Sequence, residues 1–484
     1  MKQLLLFLLC LTVNVCGSAQ SGLSLYALDH LPASAALNPA YRGDFKFALS
    51  LFPLSYQLYS NGPSYRDFVG RNESGNGGNV LRFPASKLAP GQDNLLRAES
   101  AIETFRFFYN HNSWSFNLHH ASRLKGIIDY SGTLPEMAIK GNAPFIGQRI
   151  PLDTDFKLLS YEEIGIGAVY QKNNWSAGLR MKYLSGHSLL NTRKSLVSVY
   201  TDEDIYQVSL DMDLQLEVGG IAGRRLSDLN FGPIGLRFSE EEDVLVQTPE
   251  FLFDISDDLF QFSKNPGIAW DLGFNWSIDD RWELSASVLD LGKIKWKDQT
   301  GLFTAQDNYE FDGLSLGQLN FDGTDVLSFD NIQDSFDIIR FVETNPVISS
   351  RLPTQYFLNL SHQFNDQWRF GGTVFHTSFK DNNFTALSLG ANCQLHSLVN
   401  LGLRYSLMNE EYFLVGLNAT LQLGDFQLYA LTDNVASVFR PENGRTLNAR
   451  IGFAWLMGRG ERLITNDSPA QLDHQSGLLP LRGL

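Results

Sequence analysis

Two groups of residues in this sequence are of types that bind metals or do acid-base chemistry. They are the adjacent histidines His119 and His120 and an acidic stretch at 239–262. Neighbouring residues of a strand point to opposite faces, so the two histidines are not expected to share a metal. The acidic stretch lacks the D-x-D-x-D-G spacing of a calcium loop, which favours a solvated loop over a calcium site.

Motifs that carry catalysis do not occur. The sequence has no G-x-S-x-G, P-loop, H-E-x-x-H or paired C-x-x-C pattern. We therefore expect no enzyme, no cofactor and no metal. The net charge of −15 and the pI near 5.0 also disfavour a nucleic-acid partner, because phosphate binding needs basic clusters. Cys10 and Cys16 lie in the leader described below, so Cys393 has no cysteine to pair with afterwards.

A further set of polar residues alternates with apolar ones between Gly267 and Gly292. The even positions are apolar on both sides of the turn signal Asp279-Asp280, which predicts a β-hairpin. Each arm has about 10 residues, enough for a tilted strand to cross a bilayer. If the apolar face contacts lipid, the other face lines a lumen. The residues predicted to face that lumen are Asp271, Asn275, Arg281 and Glu283.

Tryptophans recur beside the turns of such hairpins. Asp or Asn, one residue and then Trp opens the returning strand at Trp114, Trp175, Trp282 and Trp368. A soluble β-sandwich shows the same alternation, but it places Trp in mid-strand, whereas a membrane barrel places it at the water–lipid boundary. We therefore favour the barrel. The predicted membrane girdle consists of Trp114, Trp175, Trp276, Trp282, Trp368 and Trp455.

The N-terminus predicts export. Residues 1–19 have a basic start, a short apolar run and the small residues Gly17-Ser18-Ala19, as in a signal peptide. Lipidation at Cys16 is the less favoured alternative, because Val15 replaces the small residue that such a site needs. Residues 20–44 contain Pro32 and Pro39 and do not suit a ladder strand. They form either a plug inside the barrel, around Asn38, Pro39 and Ala40, or a periplasmic cap.

The rest of the chain predicts one closed sheet. Alternating segments recur from residue 45 to 457, most clearly in the last third, with minimal turns at one end and long loops at the other. Residues 297–350 are polar and are predicted to be a loop, and residues 458–484 a tail. The predicted fold is all-β: a transmembrane antiparallel barrel of about 14 strands with a short N-terminal plug-like segment.

Several short motifs carry a resemblance to a known family. Asn265-Pro266-Gly267 before the central strand, Leu37-Asn38-Pro39-Ala40, and the stretch 429–434 (YALTDN) resemble an uncharacterised outer-membrane barrel family of Bacteroidota. This family is similar to the FadL/PorV-like and PorP/SprF-like barrels. The resemblance implies a barrel with an N-terminal plug, and it supplies no catalytic or ligand-binding residue.

Two functions follow as expectations. In the first, the protein is a FadL-like transporter or channel for small hydrophobic compounds in the outer membrane of a Gram-negative bacterium. In the second, it is a non-transporting accessory or scaffold barrel of type IX secretion or gliding, PorP/SprF-like or PorV-like. The expected partners are outer-membrane lipid and either a small hydrophobic ligand or a secretion or gliding protein. An apolar, aromatic-lined lumen would favour the first and a filled lumen the second.

Overall fold

The structure, a computed structural model, describes residues 22–71, 79–81, 93–223, 264–311, 339–342, 346–396, 398–408, 411–440 and 444–458. The predicted signal peptide, the acidic stretch at 239–262 and all but the first residue of the predicted tail lie outside this part. Among the described residues, no helix has the length and apolar character needed to cross a membrane.

Strands dominate the described residues, and the helices are short. The helices are α1 (Gly22–Tyr26), a 3-10 helix (Pro32–Ala36), α2 (Tyr65–Phe68), α3 (Thr133–Lys140), a second 3-10 helix (Ala143–Phe145) and α4 (Val435–Phe439). The strands are β1 (Phe47–Ser60), β2 (Val69–Arg71), β3 (Asn79–Leu81), β4 (Asp93–His111), β5 (Trp114–Ser131), β6 (Arg149–Pro151), β7 (Thr154–Lys172), β8 (Trp175–Thr201), β9 (Val208–Gly220), β10 (Pro266–Ser277), β11 (Trp282–Trp296), β12 (Gly301–Phe311), β13 (Ile339–Val342), β14 (Ile348–Arg351), β15 (Gln355–Gln363), β16 (Trp368–Phe379), β17 (Asn382–His396), β18 (Val399–Met408), β19 (Glu411–Leu423), β20 (Phe426–Thr432) and β21 (Thr446–Met457).

Fourteen strands close into an antiparallel barrel. The order around the wall is β1, β4, β5, β7, β8, β10, β11 and then β15 to β21 in sequence. The ring closes where β21 pairs with β1, with Phe47 opposite Met457 and Tyr59 opposite Thr446. Closure pairs every ring strand on both sides, which is how β-structure satisfies its backbone in lipid. The predicted all-β transmembrane barrel of about 14 strands is confirmed.

The alternation in the sequence determines which side chains face outward. Along β10, Ile268 is 55% exposed whereas Ala269 is fully buried, and this alternation continues along the strand. Lipid-facing and lumen-facing positions of a barrel strand alternate in this way. The tight turns fit as well: Asn112 and Asn173 follow β4 and β7 with φ of 49° and 51°, which Asn tolerates better than most residues.

Three positions in the wall are occupied by different strands at the short-turn end and at the long-loop end. They are occupied by β10 and then β9, by β11 and then β12, and by β15 and then β14 and β13. At the break between β11 and β12, Asn265 accepts hydrogen bonds from the backbone N–H of Lys297 (2.8 Å) and Asp298 (2.9 Å). The buried amide of Asn265 thus links the chain just before β10 to the chain just after β11.

Residues 297–350 differ from the predicted loop, because they contain β12, β13 and β14. β12 pairs with β9 over its whole length, from Gly301 opposite Val218 to Phe311 opposite Val208. The sequence does contain a signal for β12, because the apolar Phe303, Tyr309 and Phe311 alternate with polar residues. The prediction missed it because the strand lies within a long polar stretch that is typical of a loop.

Candidate functional site: the barrel interior

The turns before Trp282 and Trp368 share one hydrogen-bonding arrangement. Asp279 accepts hydrogen bonds from the backbone N–H of Arg281 (2.8 Å) and Trp282 (2.7 Å), and these bonds lower the pKa of Asp279. Asn365 accepts the equivalent bonds from Gln367 (3.0 Å) and Trp368 (2.8 Å). The residue that accepts these bonds therefore stands one position before the Asp of the recurring Asp/Asn-x-Trp pattern. It fixes the start of the returning strand and so the position of the tryptophan.

All six predicted girdle tryptophans lie in the wall: five within a few residues of a short turn, and Trp455 opposite Phe426, which directly follows the turn between β19 and β20. Trp175 is half-buried, and the others are exposed on the outer face: Trp114, Trp276, Trp282, Trp368 and Trp455. Their contact with the lipid interface stays a prediction.

Residues 22–45, here called the N-terminal segment, lie inside the barrel at its short-turn end. Most of them are buried, and they contact inward-facing side chains of several strands. Arg180 of β8 donates to the carbonyls of Ala35 (2.6 Å) and Ala36 (3.0 Å). Ser287 of β11 donates to the carbonyl of Leu37 at 2.7 Å. The wall thus satisfies carbonyl groups that the irregular segment leaves unpaired.

The predicted plug residues Asn38, Pro39 and Ala40 contact β8 and β10. Asn275 accepts a hydrogen bond from Asn38 (2.6 Å) and donates one to the Ala40 carbonyl (3.1 Å). A Cβ on Gly178 would lie 2.1 Å from the Pro39 carbonyl oxygen, and a Cβ on Gly273 2.4 Å from Oδ1 of Asn38. Glycines at these two inward positions let the segment lie directly on the backbone of the wall.

The predicted lumen-facing residues fall in different places. Asp271 is fully buried and Asn275 contacts the N-terminal segment as described. Glu283 is half-buried and pairs with Arg369 of β16 at 2.5 Å. Arg281 differs from the prediction: it lies in the turn with an exposed side chain, because the ladder begins only at Trp282. Because Arg281 belongs to the turn and not to β11, its side chain does not face the lumen.

Asp271 belongs to a set of ionised side chains on the inner face of adjacent strands, here called the charged cluster. It pairs with Arg180 (2.6 Å) and Lys182 (2.9 Å). Lys125 pairs with Asp290 at 2.8 Å, and Arg123 with Glu163 at 2.6 Å. The cluster consists of Arg97, Glu99, Glu103, Arg106, Arg123, Lys125, Glu163, Arg180, Lys182, Asp271, Asp290 and Arg450.

Most of this cluster was not predicted, although the sequence contains a signal for part of it. In β8, the apolar Leu179, Met181 and Tyr183 are exposed outward, so Arg180 and Lys182 between them must point inward. The same reasoning that placed Asp271 in the lumen would have found both. In contrast, Asp290 follows a register shift in β11, which simple alternation does not reveal.

His119 and His120 contact different carboxylates, as expected of strand neighbours. His119 lies 3.2 Å from Glu163 and His120 lies 3.7 Å from Glu162. Within the described ranges, no group of three or more His, Cys, Asp or Glu side chains is arranged to hold a metal ion.

Above the charged cluster, toward the long loops, many of the inward-facing residues are apolar. They form one buried group with Leu23 and Tyr26 of the N-terminal segment, and Tyr26 stacks on Phe357 at 4.7 Å between ring centroids. Arg97 lies at the boundary, with its guanidinium 4.3 Å from the centroid of Phe384. The members of this apolar layer are Tyr59, Leu95, Ile127, Leu159, Leu189, Ile294, Trp296, Phe379 and Phe384.

Taken together, strand pairing, an apolar outer face and a polar lower interior define a transmembrane β-barrel whose interior holds its own N-terminal segment. The chain belongs to the family of unknown function DUF5723, whose profile matches residues 37–433. No curated protein sequence matches it.

Solved structures of other barrels are similar to this chain at low identity. The Ralstonia pickettii toluene transporter TbuX is 12% identical with a TM-score of 0.39, over 89% of this chain and 94% of that one. A Pseudomonas aeruginosa FadL homologue is 12% identical with a TM-score of 0.37, over 91% and 98%. The Pseudomonas putida toluene transporter TodX is 10% identical with a TM-score of 0.36, over 90% and 98%.

Proposed function

We propose that the protein is an outer-membrane channel of a Gram-negative bacterium that admits small hydrophobic compounds from the long-loop side. The observation that carries this proposal is the apolar layer, in which inward-facing aromatic and aliphatic side chains occupy the upper lumen. An apolar solute gains free energy on leaving water for such a surface. In a barrel used only as a wet pore, these positions would be polar.

In this proposal the N-terminal segment is the plug that a solute must pass. Leu23 and Tyr26 form the floor of the apolar layer, and residues 35–40 are hydrogen-bonded to the wall below it. Passage toward the periplasm then requires this segment to shift. The contact between Tyr26 and Phe357 is one that this shift would open.

The test is uptake of N-phenyl-1-naphthylamine by intact Gram-negative cells that produce the protein, compared with cells that do not. Phe384→Asn should slow the added uptake about tenfold, because an unpaired polar group on an apolar path costs about 1–3 kcal/mol. Ile205→Asn is the matched control, since Ile205 is exposed in the turn between β8 and β9 and should leave uptake unchanged. If cells that produce the wild-type protein take up the dye no faster than cells without it, the channel proposal is refuted.

The second candidate is the accessory or scaffold barrel of type IX secretion or gliding. It is favoured by the way the N-terminal segment fills the lower lumen, where the cavity beside Asn38 and Asn275 is only about 30 Å³. Native mass spectrometry of protein extracted in mild detergent separates the two candidates. A bound small apolar molecule that is lost on deletion of residues 31–44 supports the channel, whereas a stoichiometric protein partner supports the scaffold.

A further inference from the structure

A cavity of about 80 Å³ lies at the level of the charged cluster, between the N-terminal segment and the wall. One water needs roughly 10–15 Å³ by this measure, so the cavity has room for a small polyatomic group. Its basic lining side chains are Arg97, Arg123, Lys125, Lys182 and Arg450, and its acidic ones are Glu99 and Asp290. The lining is therefore predominantly cationic.

The ion pairs of the charged cluster do not remove this surplus. The cluster contains seven basic and five acidic side chains, which leaves two uncompensated positive charges. Arg450 forms no ion pair with any described residue, although it lines the cavity. Buried charge without a counter-charge costs several kcal/mol, so this arrangement favours a bound anion.

The guanidinium groups also retain free hydrogen-bond donors. Among the described residues, buried Nη1 of Arg97, Nε of Arg123 and Nε of Arg450 have no hydrogen-bond partner. Arg97 itself is only 2% exposed. Guanidinium donors match the planar or tetrahedral oxygens of carboxylate and phosphate groups. An oxyanion in the cavity would offer acceptors to donors of this kind.

We propose that this cavity is a binding site for one small oxyanionic group, with phosphate as its test ligand. The anion accepts hydrogen bonds from Arg97, Arg123 and Arg450 and neutralises the surplus charge of the cluster. Leu23 and Leu37 of the N-terminal segment close the cavity on one side. The bound anion therefore links the segment to the charged wall, whether or not the barrel carries apolar compounds.

The test uses the full chain, refolded from urea into dodecyl maltoside in a low-salt zwitterionic buffer, which removes anions retained from the cell. Calorimetric titration with inorganic phosphate should show one saturable site, and phosphate should raise the thermal midpoint as mass action requires. Titration with dodecyl phosphate distinguishes the source of the group. Binding of both ligands indicates a free oxyanion, and binding of dodecyl phosphate alone indicates the headgroup of an amphiphile.

Two variants locate the site. Arg450→Gln removes the unpaired cation without stranding a carboxylate, and it should weaken binding at least tenfold. Arg404→Gln is the matched control, because Arg404 is also buried in the lumen but bonds Thr373 and Ser388, away from the cavity. Its affinity for phosphate should be unchanged.

Ser55→Asp keeps the proposal testable if Arg450→Gln does not fold. Ser55 lines the cavity and is directly opposite Arg450 in the β1–β21 ladder. The carboxylate introduced by Ser55→Asp would supply a counter-charge to Arg450 from the chain itself. The thermal midpoint of this variant should therefore rise, and the variant should no longer bind phosphate. The proposal is overturned if the folded wild type binds neither phosphate nor dodecyl phosphate saturably. It is also overturned if Arg404→Gln weakens binding as much as Arg450→Gln does.

Discussion

Two groups of six neighbouring strands, here called halves although β1 and β21 belong to neither, share an apolar outer face but differ in strand length and in the side chains that face the lumen. One half, here the charged half, contains β4, β5, β7 and β8, which have 19, 18, 19 and 27 residues, together with β10 and β11. The other, here the polar half, contains β15 to β20, of which β15, β18 and β20 have only 9, 10 and 7 residues. Its inward residues are mostly hydroxyl and amide side chains.

This difference shows that lipid restricts only one face of each strand. About 10 residues suffice to cross the bilayer, so β15, β18 and β20 are near the minimum whereas β4, β5, β7 and β8 extend beyond it. The inner faces are free to diverge. The charged half holds the N-terminal segment through ion-paired Arg180 and two glycines, and the polar half holds it through contacts such as that of Ser24 with Asp433.

Loss of Asp271 should be the most damaging single change in this comparison. Asp271→Asn leaves Arg180 and Lys182 buried without their shared carboxylate. Breaking a buried pair in this way costs about 3–5 kcal/mol in the free energy of unfolding. Urea unfolding in detergent measures it, and Asp280→Asn, in the exposed turn of the same hairpin, should be neutral. Equal stability of the two variants would show that the charged half is not held by its ion pairs.

Gly178→Ala should displace the N-terminal segment. The new Cβ would lie 2.1 Å from the Pro39 carbonyl oxygen, which forces the segment or the strand to move. Overpacking of this kind costs about 1–3 kcal/mol. Limited proteolysis should then cleave the segment faster than in the wild type.

The control for this change lies in the polar half. Gly371→Ala adds the same methyl group, but its nearest atoms are 3.5 Å away, an ordinary contact. Its proteolysis should match that of the wild type. If both alanine variants are cleaved alike, the close contact of the segment with the charged half is not what retains it.

Ser24→Ala tests the corresponding contact in the polar half. The backbone N–H of Ser24 donates to Asp433 at 3.0 Å, and its hydroxyl donates to the same carboxylate. Removing the hydroxyl should cost about 1 kcal/mol, less than Gly178→Ala, because Asp433 keeps the bond from the Asn448 amide. A double-mutant cycle with Asp433→Asn should give a coupling energy of similar size. Additive single effects would argue that this contact contributes nothing.

The alternation of apolar and polar residues was enough to predict the strands of the wall, but it did not predict all the residues that face the interior. Asp271 and Asn275 followed from the exposed Ile268 and Trp270 beside them, because side chains of a strand have a strict period of two. Asp290 did not follow, since the register shift between Trp270 and Leu272 changes which residues of β11 face inward.

The N-terminal segment shows the same limit. Its prolines predicted irregular backbone, but the glycines that receive it, Gly178 and Gly273, are distant in sequence and have no pattern of their own. Arg450 likewise lines the cavity only because the barrel closes, which brings β21 beside β1. Contacts made by closure depend on register around the whole ring, and no single stretch of sequence encodes them.

The two halves should differ least at the outer face, because both present the same apolar surface to lipid. Single-Trp variants that retain Trp282 or Trp368, with the other tryptophans replaced by Phe, should be quenched by lipids brominated near the headgroup. These two residues lie beside the short turns, which we expect on the periplasmic side, and their exposed indole rings can reach the interface. The matched control retains Trp296, which is fully buried inside the barrel and should escape quenching. Quenching of Trp296 alone would reverse the assignment of inner and outer faces, and failure of Trp282 and Trp368 to respond would remove the girdle from both halves.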